Sequence, residues 1–264
     1  MLLTILNSFT TLQFSGEKAQ TFLQGQLTCD MRELSSHGAH SLAAVCTHQG
    51  RMIANFWVIH WHNDFLCVLP KSLADTVKNH LQKYAVLSKI IISHPENFFI
   101  ATKQKEARAQ VTAQPESNTA LQNAIFIQLP SENRYLIIAE KNPFEQTEIN
   151  SDETDWKKNN IRDQLCILYP KTSLLFTPQM IGLEKLGGVS FTKGCYVGQE
   201  IVARTQHLGT LKRHLHRLPV ESNHPLNPGD DLKNSQGEAI GVIVEAVKIT
   251  QNHFDVLAVV RDKA

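Results

Sequence analysis

The sequence predicts an α+β protein, and three observations support this fold class. Apolar runs of strand length are interleaved with two helical patterns over residues 1–95. A strand pair followed by one helix is predicted in the middle of the chain. After residue 211, prolines and a glycine separate short β-type runs. Strands and helices interleaved in this way are typical of α+β units.

The first region is predicted to contain four strands and one further apolar run. The strands lie at Leu12–Phe14, Ala39–Thr47, Met52–Ile59 and Phe65–Leu69, and the apolar run is Lys89–Ser93. Gly16 opens the first helix. One face of that helix carries Ala19, Phe22 and Leu23, which recur at helical spacing.

A second helix is predicted after the strand Phe65–Leu69. Ser72 and Asp75 have the spacing of a capping box at its start. Apolar positions then recur on one helical face, at Leu73, Val77, Leu81 and Tyr84.

The rest of the chain is predicted to be a loop, a strand pair, a helix and a small β unit. Residues 102–123 are polar and contain Pro115, so a loop and a weak helix are expected there. The following elements are predicted at Ala124–Leu129, Arg134–Ala139 and Asp152–Leu165. Strand-like runs at Ala239–Val247 and Phe254–Val260 predict a small β-barrel or sheet at the end.

The composition restricts the class of protein. The 264-residue chain is 42% hydrophobic, enough for a real core, and its net charge of +1 argues against wholesale binding to nucleic acid or membranes. No apolar stretch approaches the roughly eighteen residues of a membrane span. The first residues lack the basic region of a signal peptide, so none is expected. Five cysteines, an odd number without a CxxC pair, predict a reduced, cytosolic chain.

The most informative stretch is residues 191–209, where chemically active side chains crowd among glycines. Gly194 and Gly198 flank Cys195, and glycine permits positive φ and close approach of two backbones. The pattern therefore predicts backbone and side chains that are both held near a ligand.

Two interpretations of Cys195 follow from the residues around it. Lys193 and Arg204 could lower the pKa of its thiol, which would make the cysteine reactive or ligating. The alternative is a small buried residue in a tight turn, and spacing alone favours that alternative. The other four cysteines lie in apolar runs or helix faces and are predicted to be structural.

The histidines and basic residues beyond Cys195 carry weaker signals. His207 lies twelve positions on, and the sequence cannot establish a Cys–His pair. Three histidines, His207, His214 and His216, could ligate a metal, but we prefer a solvated basic strand and predict no metal site. Residues 201–220 contain no acidic residue and four cations, which are Arg204, Lys212, Arg213 and Arg217. Such a patch suits an anionic partner such as a glutamate tail, a phosphate or an RNA backbone. The alternative is an ordinary solvated face.

These motifs together resemble the YgfZ-like folate-binding proteins, which are relatives of the glycine-cleavage aminomethyltransferases. The matching positions are Lys193–Tyr196, Gly198–Glu200, Arg204, Phe176–Phe191, Gly16, Phe22–Asp30 and Gly50–Arg51. The resemblance spans residues 1 to about 215 and is faint afterwards. The cysteine motif is long enough to be specific, whereas the N-terminal pieces alone would be weak. With the resemblance, the functional interpretation of Cys195 becomes the preferred one.

The resemblance implies an aminomethyltransferase-like cloverleaf of α/β subdomains around a central folate channel, with a C-terminal β-barrel. Its implied division of the chain has four parts. These are an N-terminal folate-binding subdomain at 1–95, a second subdomain at 96–190, the cysteine-motif loop at 191–210 and the small barrel at 211–264.

The resemblance also implies residues that hold tetrahydrofolate. Phe9 and Trp156 stand where such proteins carry aromatics that contact folate, although core packing is the alternative for both. Phe9 replaces a tryptophan that can occur there, so stacking survives and an indole hydrogen bond does not. Glu184 stands where the superfamily places a folate-facing glutamate, and a carboxylate can accept two adjacent donors of an aminopyrimidine. Its alternative is a surface ion pair with Lys185 or Lys193.

Further contacts to folate are implied around the two glycine motifs. They are Arg51, Asn55, Tyr196, Gln199, Glu200 and Arg204, with Lys193, Gly194 and Gly198 shaping the loop and Cys195 as the functional thiol.

One departure from the superfamily bears on catalysis. The aminomethyltransferases carry a catalytic aspartate where this chain has Asn55. An amide can hydrogen-bond a pterin but does not titrate in the useful range. We therefore leave open whether the chain is an enzyme and lean against it.

The implied function is a cytoplasmic, folate-dependent accessory factor in iron–sulfur cluster assembly or repair. Its clients would be iron–sulfur proteins such as the tRNA methylthiotransferase, so its effect on tRNA modification would be indirect. Two alternatives stay open: a folate-dependent one-carbon transferase with another base, and a direct tRNA-binding protein. The last would make at least weak contact with tRNA through residues 204–217.

Overall fold

Three β-sheets carry the fold in a computed structural model. It describes residues 3–95, 98–104, 123–131, 133–144, 149–207, 209 and 211–262. Most of the predicted loop and weak helix at 102–123 lies outside the described residues.

The N-terminal sheet has five strands in the order β3-β4-β5-β2-β6, all paired antiparallel. The strands are β2 Phe9–Ser15, β3 His40–Cys46, β4 Met52–Trp61, β5 Asp64–Pro70 and β6 Ile91–Ser93. All five predicted apolar runs of this region are confirmed as strands. Alternate residues of a strand point to opposite faces, so β4 contributes to two cores, through Phe56 on one side and Trp57 on the other.

Two helices cover one face of this sheet. They are α1 Ala19–Gln26 and α2 Lys71–Ser88, and their buried residues include the predicted Phe22, Leu23, Val77 and Leu81. The predicted capping box at Ser72 and Asp75 is wrong. The helix follows Pro70 directly and begins at Lys71, which places Ser72 inside its first turn. No side chain of the described residues caps the helix start.

The second sheet has five strands in the order β10-β1-β7-β9-β8. The strands are β1 Leu3–Ile5, β7 Phe99–Gln104, β8 Ile125–Gln128, β9 Arg134–Ala139 and β10 Ile149–Asn150. The predicted strand pair at 124–139 is confirmed. The predicted boundary at residue 95 assigns β1 to the N-terminal subdomain, whereas strand pairing puts β1 in the second sheet. Strand β1 precedes that boundary but pairs with β7 and β10 beyond it.

Helix α3, Thr154–Arg162, follows the second sheet and is shorter than predicted. Gln164 adopts a positive φ of 53°, which ends the helical path before Leu165.

The C-terminal sheet is antiparallel, with four strands in the order β11-β14-β13-β12. Its strands are β11 Arg213–Glu221, β12 Asp231–Lys233, β13 Ala239–Lys248 and β14 His253–Arg261, and helix α4, Gln199–His207, precedes them. Of the two predicted forms, the described residues show a sheet. The closed barrel stays a prediction.

The N-terminal sheet lies between the other two units. Trp57 and Ile59 on one face pack with Ile125 and Ile138 of the second sheet. The other face shares a core with α1 and α2, to which the C-terminal sheet contributes Leu257 among others. Among the described helices, none is long and apolar enough to cross a membrane.

Candidate functional site

Cys195 is exposed, whereas the other four cysteines are buried as predicted. It lines an open cleft of about 450 Å³. The cleft is formed by Gly25, His48, Tyr196, Val197, Gly198, Gln199 and Glu200 together with Cys195. The thiol is therefore accessible, and the alternative of a small buried residue does not hold for this cysteine.

Close backbone approach shapes one end of this loop. Gly198 has a φ of 86°, and a Cβ there would overlap the carbonyl oxygen of Thr47. Gly50 faces it with a φ of 69°, where a Cβ would lie 3.0 Å from that of Ile201. Gly194 has open space at its Cα, so only Gly198 of the two flanking glycines needs to be glycine.

Lys193 does not serve the thiol as predicted. It is 5% exposed, and its Nζ donates to the carbonyl oxygens of Gln24, Leu27 and Cys29, each at 2.7 Å. Burial lowers the pKa of this ammonium to about 8. Its three donors are all used, so Lys193 ties the cysteine loop to the end of α1.

The remaining loop residues serve one another. Nζ of Lys193 lies 5.0 Å from the ring centroid of Tyr196, and burial raises the pKa of the Tyr196 phenol. The Tyr196 amide donates to Oε1 of Gln199 at 3.3 Å. Arg204 pairs with Glu200 on the exposed face of α4 at 2.9 Å. The described partner of the Arg204 guanidinium is therefore the carboxylate of Glu200.

Asn55 and Arg51 hold the chain segment that crosses the N-terminal sheet. The buried Asn55 amide donates to the carbonyl of Cys166 at 2.7 Å and accepts from the amide of Leu168 at 2.9 Å. Arg51 donates to the carbonyl of Leu175 at 2.6 Å. Both side chains are thus engaged with backbone in this state.

Glu184 is half-buried and carries one carboxylate oxygen that solvent does not reach. Its Oε2 is buried and has no hydrogen-bond partner among the described residues. Burial raises the pKa of this carboxyl. The described residues contain no ion pair between Glu184 and Lys185, and the Lys193 ammonium is bonded elsewhere, so the surface-pair alternative does not hold.

Phe9 and Trp156 meet in the core between the first two sheets. Their ring centroids are 5.7 Å apart at an interplanar angle of 88°. Trp57 lies 6.2 Å from Trp156, and the guanidinium of Arg134 lies 4.6 Å over the indole. Core packing is therefore present at both positions. The buried Nε1 of Trp156 nevertheless has no partner among the described residues.

The sequence analysis did not single out Arg134 and Glu245, two charged residues that the fold buries. Arg134 is 1% exposed and pairs with Asp163 at 2.7 Å. Glu245 is 4% exposed and accepts from the Tyr169 hydroxyl at 2.9 Å, and burial raises the pKa of this carboxyl. A charged residue inside an otherwise apolar strand is the signal that could have found Glu245.

Two of the four cations of the basic segment have acidic partners. Arg217 pairs with Asp255 at 2.7 Å, and Arg204 pairs with Glu200 at 2.9 Å. His214 lies 2.8 Å from Asp262. No group of three or more metal-ligating side chains occurs in the described part of the chain. These pairs favour the ordinary solvated face over an RNA-binding surface.

Comparison with known proteins decides the family. The chain is 30% identical over 265 residues to the tRNA-modifying protein YgfZ of Enterobacter sp. (strain 638), covering 92% of this chain and 80% of that protein. It is 31% identical over 251 residues to the tRNA-modifying protein YgfZ of Colwellia psychrerythraea, covering 88% and 76%. This chain belongs to the YgfZ family. No protein-family model matches it.

The fold of this YgfZ-family chain is that of an aminomethyltransferase. It is similar to the glycine cleavage system aminomethyltransferase T from Bartonella henselae, with a TM-score of 0.67, 13% identity and coverage of 98% of this chain and 78% of the other. At this identity the likeness concerns the fold alone.

Proposed function

We propose that this YgfZ-family protein binds a reduced folate and supports tRNA modification. The observation that carries the proposal is the buried, unpartnered Oε2 of Glu184. Buried polar atoms in native proteins are nearly always paired, so an orphan acceptor indicates a missing donor. The amino and ring N–H groups of a pterin are donors of that kind, and the family membership supports this choice.

The interior residues would hold the folate in a central channel. Glu184 would accept hydrogen bonds from the pterin edge, while Trp156 and Phe9 would form the apolar wall. Asn55 and Arg51 would keep the flanking backbone in place. When bound, the folate would supply a carrier for one-carbon groups. The closed C-terminal barrel of the cloverleaf is part of this proposal.

The cysteine loop would present its thiol to a client protein. Cys195 is exposed in a cleft, and Lys193 fixes the loop to α1. Its Tyr196, Gln199, Glu200 and Arg204 would then line the mouth of the channel. The proposed role is that of an accessory factor in iron–sulfur cluster assembly or repair, with the tRNA methylthiotransferase as one client.

A folate-dependent one-carbon transferase is the second candidate function. Asn55 cannot act as a base, which argues against it. Glu245 is the observation in its favour, because this buried carboxyl has a raised pKa and contacts Tyr169. Turnover of a methylated or aminomethylated folate donor that disappears in Glu245→Gln would establish this alternative.

Calorimetric titration with tetrahydrofolate tests the folate proposal. We expect saturable binding by the wild type and a loss of about tenfold or more in Glu184→Gln. Glu221→Gln is the matched control, since Glu221 is 80% exposed and its replacement should leave affinity within about twofold. Absence of binding by the folded wild type at about millimolar folate would overturn the proposal.

The role of Cys195 needs a test in cells that lack the wild-type protein. Cys195→Ala should bind folate normally but fail to restore methylthiolated tRNA, which is measured by mass spectrometry of digested tRNA. Full restoration by the variant would remove the thiol from the mechanism.

A further inference from the structure

Two stacked histidines lie at the end of the N-terminal sheet where β4 turns into β5. His62 occupies the two-residue turn between the paired residues Trp61 and Asp64. His37 reaches it from the loop that precedes β3. The two imidazole rings have centroids 4.4 Å apart and an interplanar angle of 12°. Both histidines are exposed, so protons from the solvent reach them freely.

The turn holds His62 in a backbone conformation that favours glycine. Its φ is 52°, in the left-handed region where a Cβ is disfavoured. Two-residue hairpin turns usually place glycine, asparagine or aspartate at such positions. A residue stays in a strained conformation only where the surrounding structure compensates for the strain. The contacts that His62 makes are therefore expected to hold this turn in place.

His37 makes these contacts in two ways. Its Nδ1 accepts a hydrogen bond from the backbone amide of His62 at 3.0 Å, and its ring stacks on that of His62. Because a backbone amide can only donate, Nδ1 of His37 carries no proton, and the neutral ring holds its proton on Nε2. The same ring contacts the indole of Trp61, with centroids 5.2 Å apart at an angle of 66°. Trp61 is 4% exposed and belongs to the core between the first two sheets.

Protonation of His37 would remove the acceptor and add a positive charge. An imidazolium carries an N–H on both nitrogens, so its Nδ1 cannot accept from the His62 amide. Among the described residues, the titratable groups that act on His37 are His62 and His60, and a protonated histidine repels a second cation. Asp64, the acid of the turn, accepts a hydrogen bond from Gln13. Partial burial, with a further contribution from the two histidines, lowers the pKa of His37, in agreement with this geometry.

We propose that His37 is an acid-sensitive clamp on the turn between β4 and β5. Neutral His37 joins the strained turn to the loop that precedes β3. Protonated His37 leaves the His62 amide without its acceptor, and the two stacked rings repel each other once both are charged, so the clamp opens as the solution becomes acidic. Opening withdraws the His37 ring from Trp61 at the junction of the first two sheets. This conformational device is independent of the proposed folate function.

NMR of the ¹⁵N-labelled protein tests the clamp directly. As the pH is lowered from about 8 to about 5, the His62 amide proton should move upfield with a midpoint below 6.5, the ordinary histidine value, because the pKa of His37 is lowered. His37→Asn separates this effect from titration of the His62 ring, since an amide oxygen still accepts from the backbone but does not titrate. The pH-dependent movement of the His62 amide should therefore be smaller in the variant than in the wild type.

Thermal unfolding tests the consequence for stability. The pKa of His37 is lower in the folded state than the ordinary 6.5, so its stabilising effect is complete above pH 6.5 and is lost as the pH falls below that value. Between pH 8 and 5 the wild-type midpoint should fall by about 2 °C relative to that of His37→Asn. His40→Asn, at an exposed position nearby, is the matched control and should follow the wild type. Equal pH dependence of the wild type and His37→Asn would overturn the proposal, and so would a wild-type His37 that carries its proton on Nδ1 at pH 8.

Discussion

The buried ammonium of Lys193 and the half-buried carboxylate of Glu184 differ in how many hydrogen bonds the protein gives them. Lys193 directs all three ammonium donors to backbone carbonyls. Among the described residues, Oε2 of Glu184 has no hydrogen-bond partner, and neither has Nε1 of Trp156. The ammonium of the cysteine loop is therefore fully hydrogen-bonded, whereas the buried carboxylate oxygen has no donor among the described residues.

Replacing Lys193 should have the largest effect on stability. Lys193→Met keeps an apolar stem but leaves three carbonyl oxygens without their donor, which should cost about 3 kcal/mol or more. Urea denaturation measures the loss. Lys185→Met, at an exposed site, is the control and should change stability by about 0.5 kcal/mol or less. A loss of stability below about 1 kcal/mol in Lys193→Met would mean that the loop does not depend on these three hydrogen bonds.

The close approach at Gly198 should give the second largest effect. Gly198→Ala forces a Cβ onto the Thr47 carbonyl at a φ of 86° and should cost about 2 kcal/mol or more. Gly194→Ala has open space and should be nearly neutral. Equal midpoints of thermal unfolding for the two variants would contradict the difference between these glycines.

Replacing Glu184 should not lower the folding stability near pH 7, in contrast to the two replacements above, and its effect should depend on pH. Its folded-state pKa is raised above the ordinary value of 4.5, so its contribution to stability is most favourable below pH 4.5 and is lost as pH rises through the folded pKa. Glu184→Gln should therefore be as stable as the wild type or more stable near pH 7. Unfolding curves of both proteins between pH 4 and 8 check this sign, and a strongly destabilised variant at pH 7 would indicate an internal partner.

Folate affinity should show the reverse dependence on pH. The ionised carboxylate of Glu184 accepts from the ligand, so affinity should fall as pH drops through the raised pKa. Glu184→Gln should remove this dependence in calorimetric titrations over the same range.

The smallest effect is expected at the exposed pair on α4. Glu200→Gln removes a partner of Arg204 in a pair whose members are 79% and 63% exposed. Such i,i+4 pairs contribute about 0.3–0.5 kcal/mol. The change in thermal midpoint should vanish at about 1 M salt, where the pair is screened. A loss that persists at high salt would assign Glu200 a structural role.

Local pattern predicted most of the elements correctly. The apolar runs of β3, β4 and β5 and the helical spacing in α2 reflect side-chain periodicity, which depends only on neighbours in sequence. The start of α2 was missed because Pro70 fixes φ near −57° and allows the helix to begin without a side-chain cap. The placement of β1 in the second sheet depends on partners about 100 and 146 residues away, which periodicity cannot reveal.

Motifs alone single out Cys195 and Glu184, and their roles stay predictions. The structure exposes Cys195 and buries Oε2 of Glu184. Proximity in sequence suggested Lys193 and Arg204 as neighbours of the thiol. The structure instead sends them to α1 carbonyls and to Glu200.

The sequence by itself determined the α+β class, the family motifs and the thiol at Cys195, because these depend on residue type and local spacing. Only the tertiary structure decided which polar groups are satisfied. The carbonyls that hold Lys193 lie 164 to 169 residues away, and the guanidinium over Trp156 comes from β9. Contacts between distant segments decide which polar groups are buried and hydrogen-bonded. They give Lys193 three acceptors and, among the described residues, leave Oε2 of Glu184 without a donor.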